Sequence, residues 1–332
     1  MLTDIVQKRP LRLGTDCSGI EAPAQALRNL GIDVEHTFAA EIDPHCVAVI
    51  RDNGSPVQLD EVDIRERDNT VMPTVDLYVC GFPCQPFSNA GARRGLADSR
   101  GTVFHGCMDY IRRQRPRAFV LENVKSLLTH DGGRTWDVIC AALVGLAGYT
   151  VTWQVMNTKD YGIPQSRHRL YIVGLRDSAV PFTFPPPSEG CSPQMAFVDM
   201  SDRSTPEPRG TFAERARALQ PALRARGCCF VDILQYRSVE RIPQRGLPFA
   251  TCLLCSSYVW CVPAERWANT KELLRLQGFP DDYRIATAPT IVRRQVGNAM
   301  SVNVLEALFA RLLGVEDRLT RDRVPYTTTP PP

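Results

Sequence analysis

The sequence predicts an α/β fold: a Rossmann-like sheet with a smaller, irregular second domain. Three observations carry this. Apolar runs of strand length alternate with helix-period segments from Leu11 to about Gly174. The first two strands are each followed by a short turn and a helix, and they end at Asp16 and Glu41, as in nucleoside-binding sheets. Beyond Pro181 the rhythm stops, giving way to the proline-rich stretch 181–187 and then short apolar runs among many arginines. The expected division is 1–180, 181–290, a helix at 291–315 returning to the first domain, and a tail at 316–332.

Taken in order, Leu11 to Asp16 alternates as a strand, Cys17-Ser18-Gly19 is a turn, and Glu21 to Leu30 has helical spacing closed by Gly31. Val34 to Ala40 is the second strand. Asp43-Pro44 opens a helix, with the aspartate as N-cap and the proline in the first turn. An acid at Glu41 suits ribose hydroxyls, and the absence of G-x-G-x-x-G argues for a cofactor without pyrophosphate; a solvated carboxylate is the alternative. Later elements are a strand before Gly81, a helix from Val103 to Arg113, a strand from Ala118 to Val124, a helix from Trp136 to Leu146, and strands at Tyr149 to Met156 and Leu170 to Gly174. Thr270 to Gln277 is a capped helix and Val302 to Leu313 an apolar one. Thr327 to Pro332 reads as a disordered tail.

With 332 residues and 44% hydrophobic composition the chain can bury a large core. A net charge of +3 permits nucleic acid without demanding it. There is no N-terminal apolar signal segment and no run near the roughly 20 apolar residues of a membrane span. The 12 cysteines do not form a compact disulfide framework. The expectation is a soluble protein of a reducing compartment. Cys252-Leu-Leu-Cys255 has zinc-ligand spacing but no matching second pair, so no metal is expected.

The chemistry centres on Cys80-Gly81-Phe82-Pro83-Cys84-Gln85-Pro86-Phe87-Ser88. An apolar strand ends in a glycine and breaks into a proline-braced loop that presents a thiol; a buried structural cysteine is the alternative. The following segment, 91–101, carries Arg93, Arg94 and Arg100 and suits a closing, phosphate-seeking lid. Glu122 and Asn123 end the next strand, at the same sheet edge as Cys84. Arg167 and Arg169 alternate, so they are expected on one face, and His168 on the other.

These stretches together resemble the cytosine C5 DNA methyltransferase family: Asp16 to Glu41, Asp63, Gly81 to Ser88, Arg100 to Phe104, Glu122-Asn123-Val124, Asp160 to Gly174, Leu273 to Tyr283, and Gln295 to Leu305. The resemblance implies a methyltransferase sheet using S-adenosylmethionine, held by Asp16, Cys17, Ser18, Gly19, Ile20, Glu41, Ile42, Asp63, Ile64, Gly81, Pro83, Val103, Asn298 and Ala299. It implies that Cys84 attacks C6 of a flipped cytosine, helped by positive charge from Arg167 or Arg169, with Glu122 on the N3 and N4 edge and Asn123 orienting the strand end. Gln85, Ser88, Arg93, Arg94 and Arg100 would meet double-stranded DNA, and 181–290 would be a target-recognition domain. A monomer without membrane attachment is expected, nuclear in a eukaryote or cytoplasmic in a bacterium or phage. Cys17 stands where the family usually has phenylalanine, Glu21-Ala22 replaces a glycine pair, and Ala299-Met300 stands where a serine and a small aliphatic residue are common. The alternatives are a transfer-RNA cytosine methyltransferase, disfavoured by the missing Cys-Phe-Thr signature, and a catalytically silent DNA-binding relative.

Overall fold

The computed structural model describes Leu2 and residues 6–54, 56–83 and 103–319; the expected disordered tail lies outside them. The chain forms two compact units. The first comprises Met1–Met156, His168–Pro186 and Val304–Leu319, and the second takes in Asn157–Arg167 and Pro187–Asn303. These bounds differ from those expected at 181 and 291. A short stretch before Arg167 joins the second unit, and the return to the first comes at Val304.

Seven strands make the first unit's sheet: β1 (Leu11–Asp16), β2 (Val34–Ala40), β3 (Gln58–Asp60), β4 (Leu77–Cys80), β5 (Ala118–Val124), β6 (Tyr149–Asn157) and β7 (His168–Arg176). Their spatial order is β3-β2-β1-β4-β5-β7-β6. The pairs β1–β2, β2–β3, β1–β4 and β4–β5 are parallel, whereas β7 runs antiparallel to β5. The alternating rhythm alone did not give that reversal. Residues 158–167, which join β6 to β7, are too few for the helical crossover a parallel return needs. Strand order reverses between β1 and β4, and in such sheets ligands bind outside the carboxyl ends at this switch point.

Among the described residues four helices follow the strands: α1 (Ala22–Asn29), α2 (Pro44–Asn53), α3 (Val103–Gln114) and α4 (Arg134–Val144). Asp43 caps α2 as expected, its side chain accepting from the His45 N–H at 3.0 Å. All four residues of β4 are buried, the signature of a strand covered on both faces. Tyr78 of β4 meets Tyr110 of α3 with ring centroids 4.5 Å apart, and Phe38, Phe104, Phe119 and Ile172 complete this core. Gly14 is required in β1 because a Cβ there would lie 2.3 Å from the Phe38 ring.

The second unit is not irregular throughout. It contains a helix, α5 (Thr211–Ala225), that the sequence did not suggest, with Pro221 inside it. Its buried positions are Ala213, Ala216, Leu219 and Leu223, and two alanines among four make a weak apolar stripe. This helix packs over β8 (Phe230–Asp232), β9 (Val259–Cys261) and β10 (Arg266–Trp267), an antiparallel sheet in the order β10-β9-β8. Trp260 is fully buried and its indole N–H donates to Gln220 Oε1 at 2.7 Å. The helix α6 (Thr270–Leu276) is capped by Asn269 in a reciprocal box with Glu272. The buried Glu272 carboxylate also receives the Arg266 fork at 2.8 and 3.0 Å.

The single helix expected at 291–315 is two, α7 (Pro289–Asn298) and α8 (Val302–Leu313), the second straddling the boundary between the units. Taken together, Pro289–Leu313 is long and apolar enough to span a bilayer, although no uninterrupted apolar run marks it. The chain breaks at 299–301, however, and 89% of the apolar window is buried inside the fold, as in core helices.

Candidate active site

At the switch point β1 ends in a turn with an unusual backbone. Cys17, Gly19 and Glu21 all have positive φ, at 50°, 54° and 53°. Ser18 is pinned beneath β2, its N–H donating to the Ala40 carbonyl at 3.2 Å. The Gly19 N–H donates to Glu41 Oε2 at 2.8 Å, and Glu41 Oε1 accepts from the Ile42 and Asp43 N–H groups at 2.8 and 2.9 Å. Burial nevertheless pushes the Glu41 carboxyl above its ordinary value, against the pull of these three donors. Beside it Ile42 is 61% exposed. Ile20 and Ile64 are buried core residues.

Two expected cofactor carboxylates are already engaged within the protein. Asp16 does not face a ligand freely. Both its oxygens sit in the Arg67 fork at 2.6 and 2.7 Å, and the Tyr78 hydroxyl donates to Oδ2 at 2.5 Å. A carboxylate this buried requires such pairing, so Asp16 anchors the turn from below. Arg67 was missed by sequence reasoning, since a single arginine in a charged loop looks solvated; its guanidinium also lies 5.5 Å from the Phe38 ring centroid. Asp63 accepts from Arg65 Nε at 2.9 Å, and this pairing holds it below the usual carboxylate range.

The ends of β4, β5 and β7 converge. Cys80 pairs with Leu121 in the ladder, so Glu122 lies one step beyond, beside Gly81. The Asn123 amide donates to the Phe82 carbonyl at 3.2 Å, tying the segment that leads to Cys84 onto β5. Glu122 Oε1 lies 3.1 Å from Arg169 Nε, and both side chains are about nine-tenths buried. Next to this pair a cavity of about 380 Å³ is lined by Lys125, Ser126, Thr129, His168 and Arg169 together with Val124 and Leu128. Pro83 and Gly81 are half-buried, and Val103 begins α3. Cys84, Gln85, Ser88, Arg93, Arg94 and Arg100, and with them the expected lid, lie outside the described residues.

Cys80 is the nearest described thiol in sequence to Cys84, and it is no nucleophile. It is fully buried with its sulfur 3.1 Å from that of Cys107, and burial together with the Cys107 and Cys17 thiols pushes it well above its ordinary pKa.

Arg167 departs from the expectation that it would share a face with Arg169; the Cys84 thiol it was expected to help lies outside the described residues. Arg167 belongs to the second unit and is 1% exposed. Its guanidinium donates to the carbonyls of Leu253 (2.7 Å), Gly297 (3.0 Å) and Ala299 (2.7 Å), with the Cys252 sulfur at 3.5 Å. Two-residue alternation holds only inside a strand, and β7 begins one residue later, at His168. Arg167 therefore clamps the 252–253 segment to the end of α7. Gly297 permits the same approach, since a Cβ there would lie 2.4 Å from the Leu254 carbonyl carbon. Asn298 is exposed, and its Oδ1 accepts from the Cys255 thiol at 2.7 Å.

A mainly parallel sheet with the Glu41 carboxylate at its switch point and a buried Glu–Arg pair at the neighbouring strand ends places its polar groups where α/β sheets of this class bind ligands. Residues 16–224 and 262–314 match the family described as C-5 cytosine-specific DNA methylase. The Type II methyltransferase M.NgoBI of Neisseria gonorrhoeae is 38% identical over 74% of this chain and 76% of its own length. M.NlaX of Neisseria lactamica is 33% identical over 86% and 92%, respectively. Among solved structures, a DNA modification methyltransferase encoded within an Escherichia coli prophage shares the fold at a TM-score of 0.69 with 18% identity, covering 92% of this chain and 99% of that one. The chain belongs to the C-5 cytosine-specific DNA methylase family, and its activity is methylation of cytosine C5 in DNA.

Proposed function

We propose that the reaction runs through Cys84 on a cytosine swung out of duplex DNA, with S-adenosylmethionine as methyl donor. The observation that carries this reading is the Asn123 bond to the Phe82 carbonyl beside the Glu122–Arg169 pair. It ties the segment leading to Cys84 to the strand that bears the carboxylate.

The residues fit the cofactor. Glu41, fixed by three backbone N–H groups, is a hook for ribose hydroxyls, and the exposed Ile42 offers an apolar surface for a purine. Asp63 would accept from the adenine amino group on exchanging its Arg65 partner, while Asn298 and Ala299 would serve the methionine end. Bound there, the cofactor supplies an electrophilic methyl group.

Every other step belongs to the chain and the base. Stacked cytosine hides C5 and C6, so extrusion costs a few kcal/mol, which contacts from Gln85, Ser88, Arg93, Arg94 and Arg100 to the DNA would offset. The Cys84 thiolate adds at C6 while Glu122 holds the N3 and N4 edge and places a proton on N3. C5 becomes nucleophilic enough to take the methyl group. The C5 proton then passes to solvent, the N3 proton returns to Glu122 and the thiolate leaves, which restores the ring. Arg169 keeps Glu122 oriented and faces the cavity where the base would sit. The second unit, as target-recognition domain, would read the flanking bases. Bacterial and phage relatives support a cytoplasmic setting.

The test is a duplex containing 5-fluorocytosine at the recognised site. Wild type should form a covalent adduct stable to denaturing electrophoresis, and Cys84→Ser should form none and transfer no methyl group while still binding DNA. Turnover by Cys84→Ser would overturn the reading.

A further inference from the structure

Glu21 stands in the cofactor turn in a backbone conformation that favours glycine, with φ 53°. Its side chain is buried, and one carboxylate oxygen, Oε2, has no hydrogen-bond partner among the described residues. A left-handed non-glycine residue and an unpartnered buried carboxylate oxygen both work against stability, so a residue that combines them is a candidate for function.

The other oxygen shows what that function is. Thr15, one residue before the end of β1, donates its hydroxyl to Glu21 Oε1 at 2.7 Å. The Thr15 hydroxyl in turn accepts from the Ser18 hydroxyl at 2.9 Å and lies 3.2 Å from His36 Nε2. His36 Nε2 is itself 3.8 Å from Glu21 Oε1. Ser18 precedes Gly19, whose N–H holds the Glu41 carboxylate. A chain of hydrogen bonds thus runs from Glu21 through Thr15 and Ser18 to the backbone that orients the ribose hook. Glu21 also closes the turn through its own backbone, its N–H donating to the Ser18 carbonyl at 2.9 Å.

We infer that Glu21 is a positioning residue that sets cofactor affinity: its carboxylate fixes Thr15 and Ser18, and through them the Gly19 N–H and Glu41. It touches neither the base nor the reacting atoms. This inference rests on the reading of Glu41 as the ribose hook. The substitution series separates side chain from backbone. Glu21→Gly relaxes the left-handed backbone but deletes the carboxylate, Glu21→Ala deletes the carboxylate and keeps the backbone cost, and Glu21→Gln keeps an oxygen for Thr15.

The experiment measures the dissociation constant of S-adenosylhomocysteine by calorimetry, with KM for S-adenosylmethionine and kcat on cognate duplex. Glu21→Ala and Glu21→Gly should both weaken binding and raise KM about tenfold, the scale of one lost charge-assisted hydrogen bond, with kcat within about twofold. Glu21→Gln should recover affinity to within about threefold of wild type. Binding by Glu21→Gly as tight as wild type would overturn the inference, because the position would then serve only the backbone. So would a fall in kcat with KM unchanged. Failure of wild type to bind S-adenosylhomocysteine at all would instead overturn the assignment of the cofactor.

Discussion

Arg167 and Arg169, two residues apart, occupy opposite surroundings. Arg167 lies in the second unit, with main-chain carbonyls and a cysteine sulfur around its guanidinium and no carboxylate among those partners. Arg169 lies on β7 in the first unit, where its Nε faces Glu122 at the edge of an open cavity. The same side chain therefore serves two purposes. Surrounded by carbonyls, its five donors knit loops together; set against a carboxylate beside a cavity, it orients Glu122 in the proposed reaction.

The sharpest way to break that contrast is to remove the reactive side of it. Glu122→Gln should lower kcat by about 10²–10⁴-fold, the range for a lost proton-transferring group, with the thermal midpoint little changed. Arg169→Met should follow in the same direction by a smaller factor, as an orienting residue would. A Glu122→Gln enzyme with full kcat would remove the pair from the chemistry.

Arg67 extends the structural side of the contrast into the first unit. Arg67→Met leaves the Asp16 carboxylate buried without its fork and should cost about 3–5 kcal/mol of stability in urea unfolding. A loss below about 1 kcal/mol would mean that the pair behaves as a surface ion pair.

Arg167→Met should cost about 2–4 kcal/mol by stranding three buried carbonyls. The protein that remains folded should keep much of its kcat. If Arg167→Met and Arg169→Met instead lost kcat equally and stability not at all, the two arginines would share one role.

The smallest effect is a pH dependence. Burial raises the Glu41 carboxyl above the ordinary carboxylate range, so it takes up a proton at a higher pH than an exposed glutamate. A protonated Glu41 accepts poorly from ribose hydroxyls. S-adenosylhomocysteine affinity should therefore weaken as pH falls through that raised value, severalfold between neutral and mildly acidic pH. Glu41→Gln should bind more weakly overall with a flatter profile. The sign for stability is the opposite: the native state holds this proton more tightly than the unfolded chain, so this group's contribution to stability falls as pH rises through the window between the two pKa values.

Much of this site was legible in the chain because its signals are local. The strand β1, the Asp43-Pro44 helix start and the acid at the end of β2 follow from spacing and capping chemistry, and all are present at or within a few residues of the expected positions. The placement of Glu122 at a strand end beside Gly81 was equally readable, as was the amide at 123. What failed were inferences that carried a local rule past its element. Alternation assigned Arg167 to the face of Arg169, but the strand had not begun. A weak alanine stripe with an internal proline hid α5. Asp16 carries an acid at a strand end just as Glu41 does, and sequence cannot tell which of the two meets a buried arginine from residue 67.

The sequence by itself determined the alternating α/β order, the switch-point turn, the strand-end carboxylates and the family, because periodicity, caps and motif residues act over a few positions. Only the tertiary structure decided which charges are free to work. Pairing of Asp16 with Arg67, of Glu122 with Arg169 and of Arg167 with three carbonyls depends on groups tens of residues apart meeting under low dielectric. There each buried charge must find its partner, and no local pattern encodes that choice.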